Sequence, residues 1–187
     1  MKKMLALGLL SLSLAQAKMF VGVDGGYVMA GSAVSGKADS SVYDGHYQDA
    51  WNVSANFGYE TFFSSHFGAR AFISAGYGSV FDSAVTNQFF GVDGNIDLIA
   101  NLVGGFGVFA GVGAGWQHHS IASAFDKNSI PLFGRVGLTF GITDSLRLDL
   151  TAKLPIIAWD MDGSDIAGVL PTTFSPLAVQ AGIKFLF

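Results

Sequence analysis

The chain has 187 residues, enough for one domain of ordinary size. Half of it is hydrophobic and only 13% is charged, where a soluble domain carries about 25%, so an ordinary water-covered surface is excluded. It contains no cysteine, which excludes disulfide frameworks, thiolate metal sites and thiol nucleophiles, while 25 glycines and 17 phenylalanines are far above common usage.

The first element is a leader. Met1-Lys2-Lys3 is a basic head, Met4 to Leu14 is an apolar run, and Ala15-Gln16-Ala17 is a small-x-small site. That order predicts a secretory signal peptide over residues 1–17, cut after Ala17, and a mature domain over residues 18–187. The run is too short to cross about 30 Å of hydrocarbon, so it does not read as an anchor helix. No cysteine stands after the cut to carry a lipid. The mature chain keeps 8 basic and 14 acidic residues, a formal net charge of −6. An acidic chain without basic clusters excludes nucleic acid as a partner. Nothing downstream approaches 18 unbroken apolar residues, so no membrane-spanning helix is expected.

From Met19 onward the sequence alternates with period two, the signature of strands. Met19 to Met29 sets Val21, Val23 and Tyr27 against Gly22, Asp24 and Gly26. Trp51 to Glu60 sets Trp51, Val53, Ala55, Phe57 and Tyr59 against Asn52, Ser54, Asn56, Gly58 and Glu60. Phe67 to Gly78 and Phe89 to Ala100 continue it, with Arg70, Asp93, Asn95 and Asp97 on the second face. Gly105 to Trp116 alternates apolar residues with Gly107, Phe109, Gly111, Gly113 and Gly115. Ile130 to Ile142, Leu146 to Leu154 and Leu177 to Phe187 complete eight segments. Each approaches the 9–11 residues of a tilted membrane-spanning strand.

The connections near residues 61–66, 101–104 and 143–145 are short; those near 30–49, 79–88, 117–129 and 155–175 are long. The four prolines (131, 155, 171 and 176) fall in or beside the long ones. This predicts an all-β fold: an eight-stranded antiparallel up-and-down transmembrane barrel with short periplasmic turns, long extracellular loops and both mature termini on the periplasmic side. A soluble barrel would turn its apolar face inward and crowd its outer face with Lys and Glu. Here one face is almost uncharged, and the other is mostly Gly, Ser and Asn, slim enough for a narrow lumen. The apolar face therefore meets lipid.

Aromatic residues sort by strand direction. Tyr27, Trp51, Tyr77, Phe90 and Trp116 fall at the outer end of the apolar face, and Phe57, Tyr59, Phe67, Phe106, Phe140, Phe185 and Phe187 at the inner end. Two interfacial girdles have this form. The terminus 179-VQAGIKFLF-187, with Val179, Ile183, Phe185 and a final Phe187, resembles the carboxy-terminal signature of Gram-negative outer-membrane barrels. With the leader and the alternation, the resemblance covers the whole mature chain. It is to small eight-stranded barrels: the OmpA membrane domain, OmpX-like and opacity-protein-like families. It implies residence in the outer membrane as a monomer, contact with lipid and lipopolysaccharide, delivery through the Sec pathway, and recognition of the last strand by the barrel assembly machinery.

The inward positions carry five acids (Asp24, Glu60, Asp93, Asp97, Asp149) and five bases (Arg70, Arg135, Arg147, Lys153, Lys184). Isolated charges in a narrow space are costly, so a matched set predicts internal ion pairs that fill the lumen. Glu60 and Arg70 flank one short turn and are expected to meet. Open aqueous lumens belong to barrels of about 16–18 strands, so a general porin is not expected.

Three loop features bear on activity. In 116-WQHHSIAS-123, His118 and Ser120 stand at the outer mouth. His-x-Ser at a barrel rim resembles the lipid A 3-O-deacylase family, whose His activates a Ser nucleophile. That family continues with Asn and later a Glu; here Ile121 comes next, no Glu exists after Glu60, and Asp126 is the nearby acid. The stretch 160-DMDGSD-165 offers Asp160, Asp162 and Asp165 but lacks the glycine and glutamate spacing of a full calcium loop. No metal and no cofactor is expected. Finally Phe81, Phe125, Ile157, Trp159, Met161 and Ile166 make the long connections unusually apolar, as contact surfaces for host or surface ligands or as a cap on the barrel mouth. The leading expectation is a non-enzymatic outer-membrane barrel with a structural or surface-contact role. A narrow conduit for small or apolar solutes is the alternative, and a hydrolase using His118 and Ser120 the third reading.

Overall fold

The computed structural model describes residues 17–30, 48–81, 87–121, 125–161 and 177–187. Eight strands account for nearly all of them: β1 (Lys18–Ala30), β2 (Gln48–Phe62), β3 (Phe67–Val80), β4 (Asn87–Val103), β5 (Phe106–Ile121), β6 (Phe125–Thr143), β7 (Leu146–Asp160) and β8 (Leu177–Leu186). Each pairs antiparallel with the next, and β8 returns to β1, so the sheet closes. The seam is finished by reciprocal backbone bonds: Met19 N donates to Phe187 O at 3.0 Å and Phe187 N to Met19 O at 2.9 Å. Closure leaves no open sheet edge along the paired span, which hydrocarbon requires. The fold is a transmembrane eight-stranded up-and-down barrel.

Alternation decides which side chain faces where. On β1, Phe20, Asp24 and Val28 are buried, while Val21, Val23 and Tyr27 stand outside. On β4, Asp93, Asn95, Asp97 and Ile99 are buried, while Val92, Ile96 and Leu98 are exposed. The usual globular arrangement is inverted: Arg70, Arg135 and Lys184 are each 1% exposed, whereas Ile73 and Ile96 are each 59% exposed on the outer wall. A sheet with this pattern is stable only with an apolar solvent around it.

Eight strands enclose a narrow lumen; glycine lines much of it, and five of those glycines make room for a phenylalanine directly across the ladder. The register sets Gly58 opposite Phe72, Gly68 opposite Phe62, Gly78 opposite Phe89, Gly113 opposite Phe133 and Gly137 opposite Phe109. In every case a methyl group on the glycine would strike the facing side chain or the neighbouring backbone. The high counts of both residue types thus have one cause: a ring lies over its bare partner and fills the cylinder.

Two expectations about the connections are corrected. The segment near 117–129 is not a long loop, since β5 continues to Ile121 and β6 begins at Phe125. Likewise β7 runs on through Pro155 to Asp160. Pro131 and Pro155 therefore sit inside strands, and the sheet yields at each. The β5–β6 ladder skips from Ala114↔Leu132 to Gln117↔Ser129 around Pro131, which has no N–H to give. The β6–β7 ladder shifts between Leu132↔Ile157 and Phe133↔Pro155, leaving Ile156 as a bulge. Pairing of β7 with β8 stops at Lys153↔Ala178, two residues before Pro155. The two extensions escaped the period-two pattern for different reasons: Gln117 to Ser120 is polar on both faces, and Pro155 to Trp159 is apolar on both.

Candidate functional site

The interior is built from side chains of seven strands converging on the barrel axis. Arg70 on β3 donates through Nε to Asp97 Oδ2 at 2.8 Å and through Nη1 to Asp149 Oδ2 at 2.6 Å. Arg135 on β6 takes the other oxygen of Asp97 at 3.1 Å. Asp149 also accepts from Thr139 Oγ1 at 2.7 Å and from Lys184 Nζ. Lys184 lies 3.9 Å from Asp24, which accepts from Asn56 Nδ2 at 2.7 Å, and Asn56 in turn accepts from Ser74. Towards the outer mouth Lys153 pairs with Asp93 at 3.2 Å. Towards the short-turn end Arg147 pairs with Glu60 at 3.1 Å. All ten inward charges thus have an opposite charge beside them.

Glu60 does not pair as the sequence suggests. The ladder sets it directly opposite Arg70, yet Arg70 is drawn to the two aspartates on β4 and β7, and Glu60 instead meets Arg147 across the lumen. The strands on either side of a hairpin decide proximity; the chord across a closed cylinder decides the partner.

The rings that fill the cylinder also face the cations. The Arg70 guanidinium lies 4.2 Å from the Phe109 ring centre, Arg135 lies 4.9 Å from Phe72, and Lys153 4.8 Å from Phe133. Lys184 over Phe20 and Arg147 over Phe62 repeat the arrangement at 5.9 and 5.5 Å. Such contacts are worth about 2 kcal/mol each when desolvated. These phenylalanines are the functional residues that charge patterning alone does not find. The signal in the sequence is a large ring, as at Phe72, Phe109 and Phe133, interrupting an otherwise slim face.

The girdle positions occupy the outer wall. At the outer end Trp51 meets Tyr77 edge-on at 5.8 Å, Phe90 meets Trp116 edge-on at 6.0 Å, and Tyr27 stacks on Phe81 at 6.4 Å. At the inner end Phe57 and Tyr59 meet at 6.3 Å, and Phe67, Phe140, Phe185 and Phe187 are exposed to the same side. Val179 and Ile183 stand on the outer wall of β8 with Phe185.

At the outer rim the two histidines separate. His119 is buried and stacked on Phe89 at 5.7 Å. His118 faces outward, stacked on Trp116 at 6.1 Å, with Nδ1 3.1 Å from Asn128 Oδ1 and Nε2 3.8 Å from Asp126. Ser120 shares its face one strand repeat further on, opposite Asp126. Among the described residues no hydrogen bond joins His118 to Ser120; the imidazole turns across the strand, not along it. Among the loop positions, Phe81, Trp159 and Met161 are exposed and Ile157 is half-buried on the extended β7. Phe125 opens β6, Asp160 ends β7, and Ile166, Asp162 and Asp165 lie outside the described residues. Among the described residues no three side chains converge as metal ligands.

The geometry defines a class: a small transmembrane barrel with an apolar wall and a charge-matched interior. No protein-family description and no curated protein matches the chain. Among solved structures it is similar to Neisserial surface protein A, with a TM-score of 0.64 at 12% identity over 91% of this chain and 99% of that one. It is also similar to Ail, the attachment invasion locus protein of Yersinia pestis, solved with the heparin analogue sucrose octasulfate. There the TM-score is 0.55 at 12% identity, over 91% and 97% of the two chains. At such identities the likeness establishes the shared fold.

Proposed function

We propose that the chain is a non-enzymatic integral protein of the outer membrane, exported with removal of residues 1–17, with a sealed lumen and a rim that makes surface contacts. The observation that carries this reading is the interior: ten charges, five of each sign, paired and interleaved with phenylalanine rings. Several polar atoms of these groups, such as both Glu60 carboxylate oxygens and Arg135 Nη2, make no hydrogen bond, but the charges are matched, and matched charges leave no unpaired one to draw an ion through. Support for a contact role comes from the rim, where Phe81, Trp159 and Met161 are each at least half exposed, and from the fold shared with a surface protein and an attachment protein. The net charge of −6 on the mature sequence does not suit a sulfated polyanion such as the one held by Ail. A neutral or basic partner suits it better.

In this reading the short-turn end and both termini are periplasmic, the last strand is read by the assembly machinery, and the protein acts as a monomer. The test is refolding of the mature chain into planar bilayers. Silence across applied voltage is expected, and stepwise conductance would replace the sealed barrel with the narrow conduit. A companion assay shortens the segment 162–176: loss of cell-surface or matrix binding with the barrel intact is expected, and preserved binding removes the contact role from that segment.

A further inference from the structure

The short-turn end of the cylinder holds a recess of about 520 Å³, within the range of roughly 300–1,000 Å³ usual for small-molecule sites. Two turns shape its edge. Gly104 and Gly105 take φ of 58° and 81°, a left-handed pair that lets β4 turn tightly into β5. Gly105 O accepts from Gly141 N at 2.9 Å, which ties that turn to the end of β6. A methyl group on Gly141 would meet no atom beyond its chain neighbours closer than 3.7 Å, so this glycine leaves an open stretch of wall. On the deep side Leu186 packs with Phe20 and Phe72, one inward step further from the mouth than Lys18 and Glu60.

Four charged side chains line the recess, two of each sign: Lys18, Arg147, Glu60 and Asp144. Lys18 Nζ donates to the Asp144 carbonyl at 3.0 Å. Glu60 and Arg147 are paired at 3.1 Å, with side chains 2% and 13% exposed. That pair is incomplete. Both Glu60 oxygens, Arg147 Nε and Arg147 Nη1 make no hydrogen bond, and neither does Oδ1 of Asn101, another residue of the same wall. By contrast, Asp97 accepts from Arg70 and Arg135, and Asp149 accepts from Arg70, Thr139 and Lys184. The unused donors and acceptors of the two groups gather where the barrel interior meets this recess.

We propose that this recess binds a free α-amino acid, its carboxylate on Arg147 and its ammonium on Glu60 and Asn101 Oδ1. The choice follows from charge. A simple anion that drew Arg147 to itself would strand Glu60 as a buried charge, and a simple cation on Glu60 would strand Arg147. A zwitterion strands neither: laid antiparallel to the Glu60–Arg147 pair, it gives each a new partner. Its two carboxylate oxygens match the guanidinium fork, and its ammonium has donors enough for a Glu60 oxygen and the Asn101 carbonyl. Arg147 is the part that adjusts. Its Nε and Nη1 are covered, and rotation about the outer torsions of this long side chain uncovers them. Phe62 and Leu186 supply apolar lining for a small alkyl side chain. The inference goes beyond the surface-contact reading and does not depend on it, because the recess lies at the opposite end of the cylinder from the rim.

The test uses the full mature chain refolded in an uncharged maltoside detergent near neutral pH. Nitrogen-15 NMR follows the Asn101 side-chain amide and the Arg147 Nε–H during titration with alanine, N-acetylalanine or alaninamide, up to about 100 mM, well beyond a millimolar Kd. Alanine should shift both signals and saturate. N-acetylalanine has no ammonium and alaninamide no carboxylate, so each should bind roughly tenfold or more weakly, the size of one lost charge-assisted hydrogen bond. Arg147→Met should abolish saturation at Asn101. Gly141→Phe, which places a ring in the recess and keeps every lining charge, is the second variant and should do the same. Gly134→Ala, on the outer wall of β6, should bind as the wild type does. Equal binding of N-acetylalanine would make this an anion site, and equal binding of alaninamide a cation site; either overturns the proposal. So would the lack of any saturable shift with alanine, or undiminished binding in Gly141→Phe.

Discussion

Glu60 and Arg70 stand directly opposite one another on the β2–β3 ladder, yet Glu60 makes its ion pair with Arg147 on β7, 3.1 Å away. Arg70 is already committed to Asp97 and Asp149. The pairing therefore runs across the lumen and ties distant strands together. A double-mutant cycle on Glu60→Gln and Arg147→Met should report a coupling of about 0.5–3 kcal/mol. The same cycle on Glu60 and Arg70 should report the smaller value. Urea unfolding in lipid vesicles measures both.

Asp97 is fully buried and takes a hydrogen bond from each of two guanidinium groups, those of Arg70 and Arg135. Asp97→Ala leaves both cations facing a neutral gap. Removing one partner of such a buried set costs about 3–5 kcal/mol. The expected result is a folded population that unfolds at clearly lower urea, with a near-normal result for any exposed acid such as Asp126→Ala.

Gly137 offers a test of packing rather than charge. A methyl group there would meet both the Leu150 carbonyl and the Phe109 ring, the ring that also faces the Arg70 guanidinium. Gly137→Val should destabilise by about 1–3 kcal/mol or block closure outright. The companion Gly134→Ala, where the nearest atoms are at ordinary contact distance, should cost far less. Heat-dependent gel mobility distinguishes closed from unclosed barrels.

The wall should show a depth profile. Ile73 lies midway between Phe67 and Tyr77 along β3 and is 59% exposed. Ile73→Arg places a charge near mid-bilayer and should cost about 2–4 kcal/mol. Met161→Arg, beyond the girdle at the end of β7, should cost no more than about 1 kcal/mol. Equal costs at the two sites would contradict a bilayer around this wall.

The strands and their facing were legible because period two is strongest where one side meets lipid and the other a slim lumen, as from Trp51 to Glu60. The pattern faded from Gln117 to Ser120, where four polar residues in a row stand on both faces: Gln117 and His119 inside, His118 and Ser120 outside. Pro155 hid the rest of β7, since a proline normally ends a ladder; here a bulge at Ile156 absorbs it. The identity of the charged lumen residues could be read directly, but not their partners. Asp149 meets Arg70 from a position 79 residues away, and such a chord depends on how the cylinder closes, which local spacing does not encode. The phenylalanine–glycine pairs were hidden for the same reason: each half lies on a different strand.

The seam between Met19 and Phe187 joins the first strand of the barrel to the last. No smaller cylinder can form on the way, because β1 has no second neighbour until β8 has been made. Productive folding must wait for β8, and the high sequence separation of that final contact makes the step slow. Until then two strand edges stay open to foreign pairing. A chain of this design should accordingly depend on being escorted, and removal of β1 or β8 should be among its most damaging truncations.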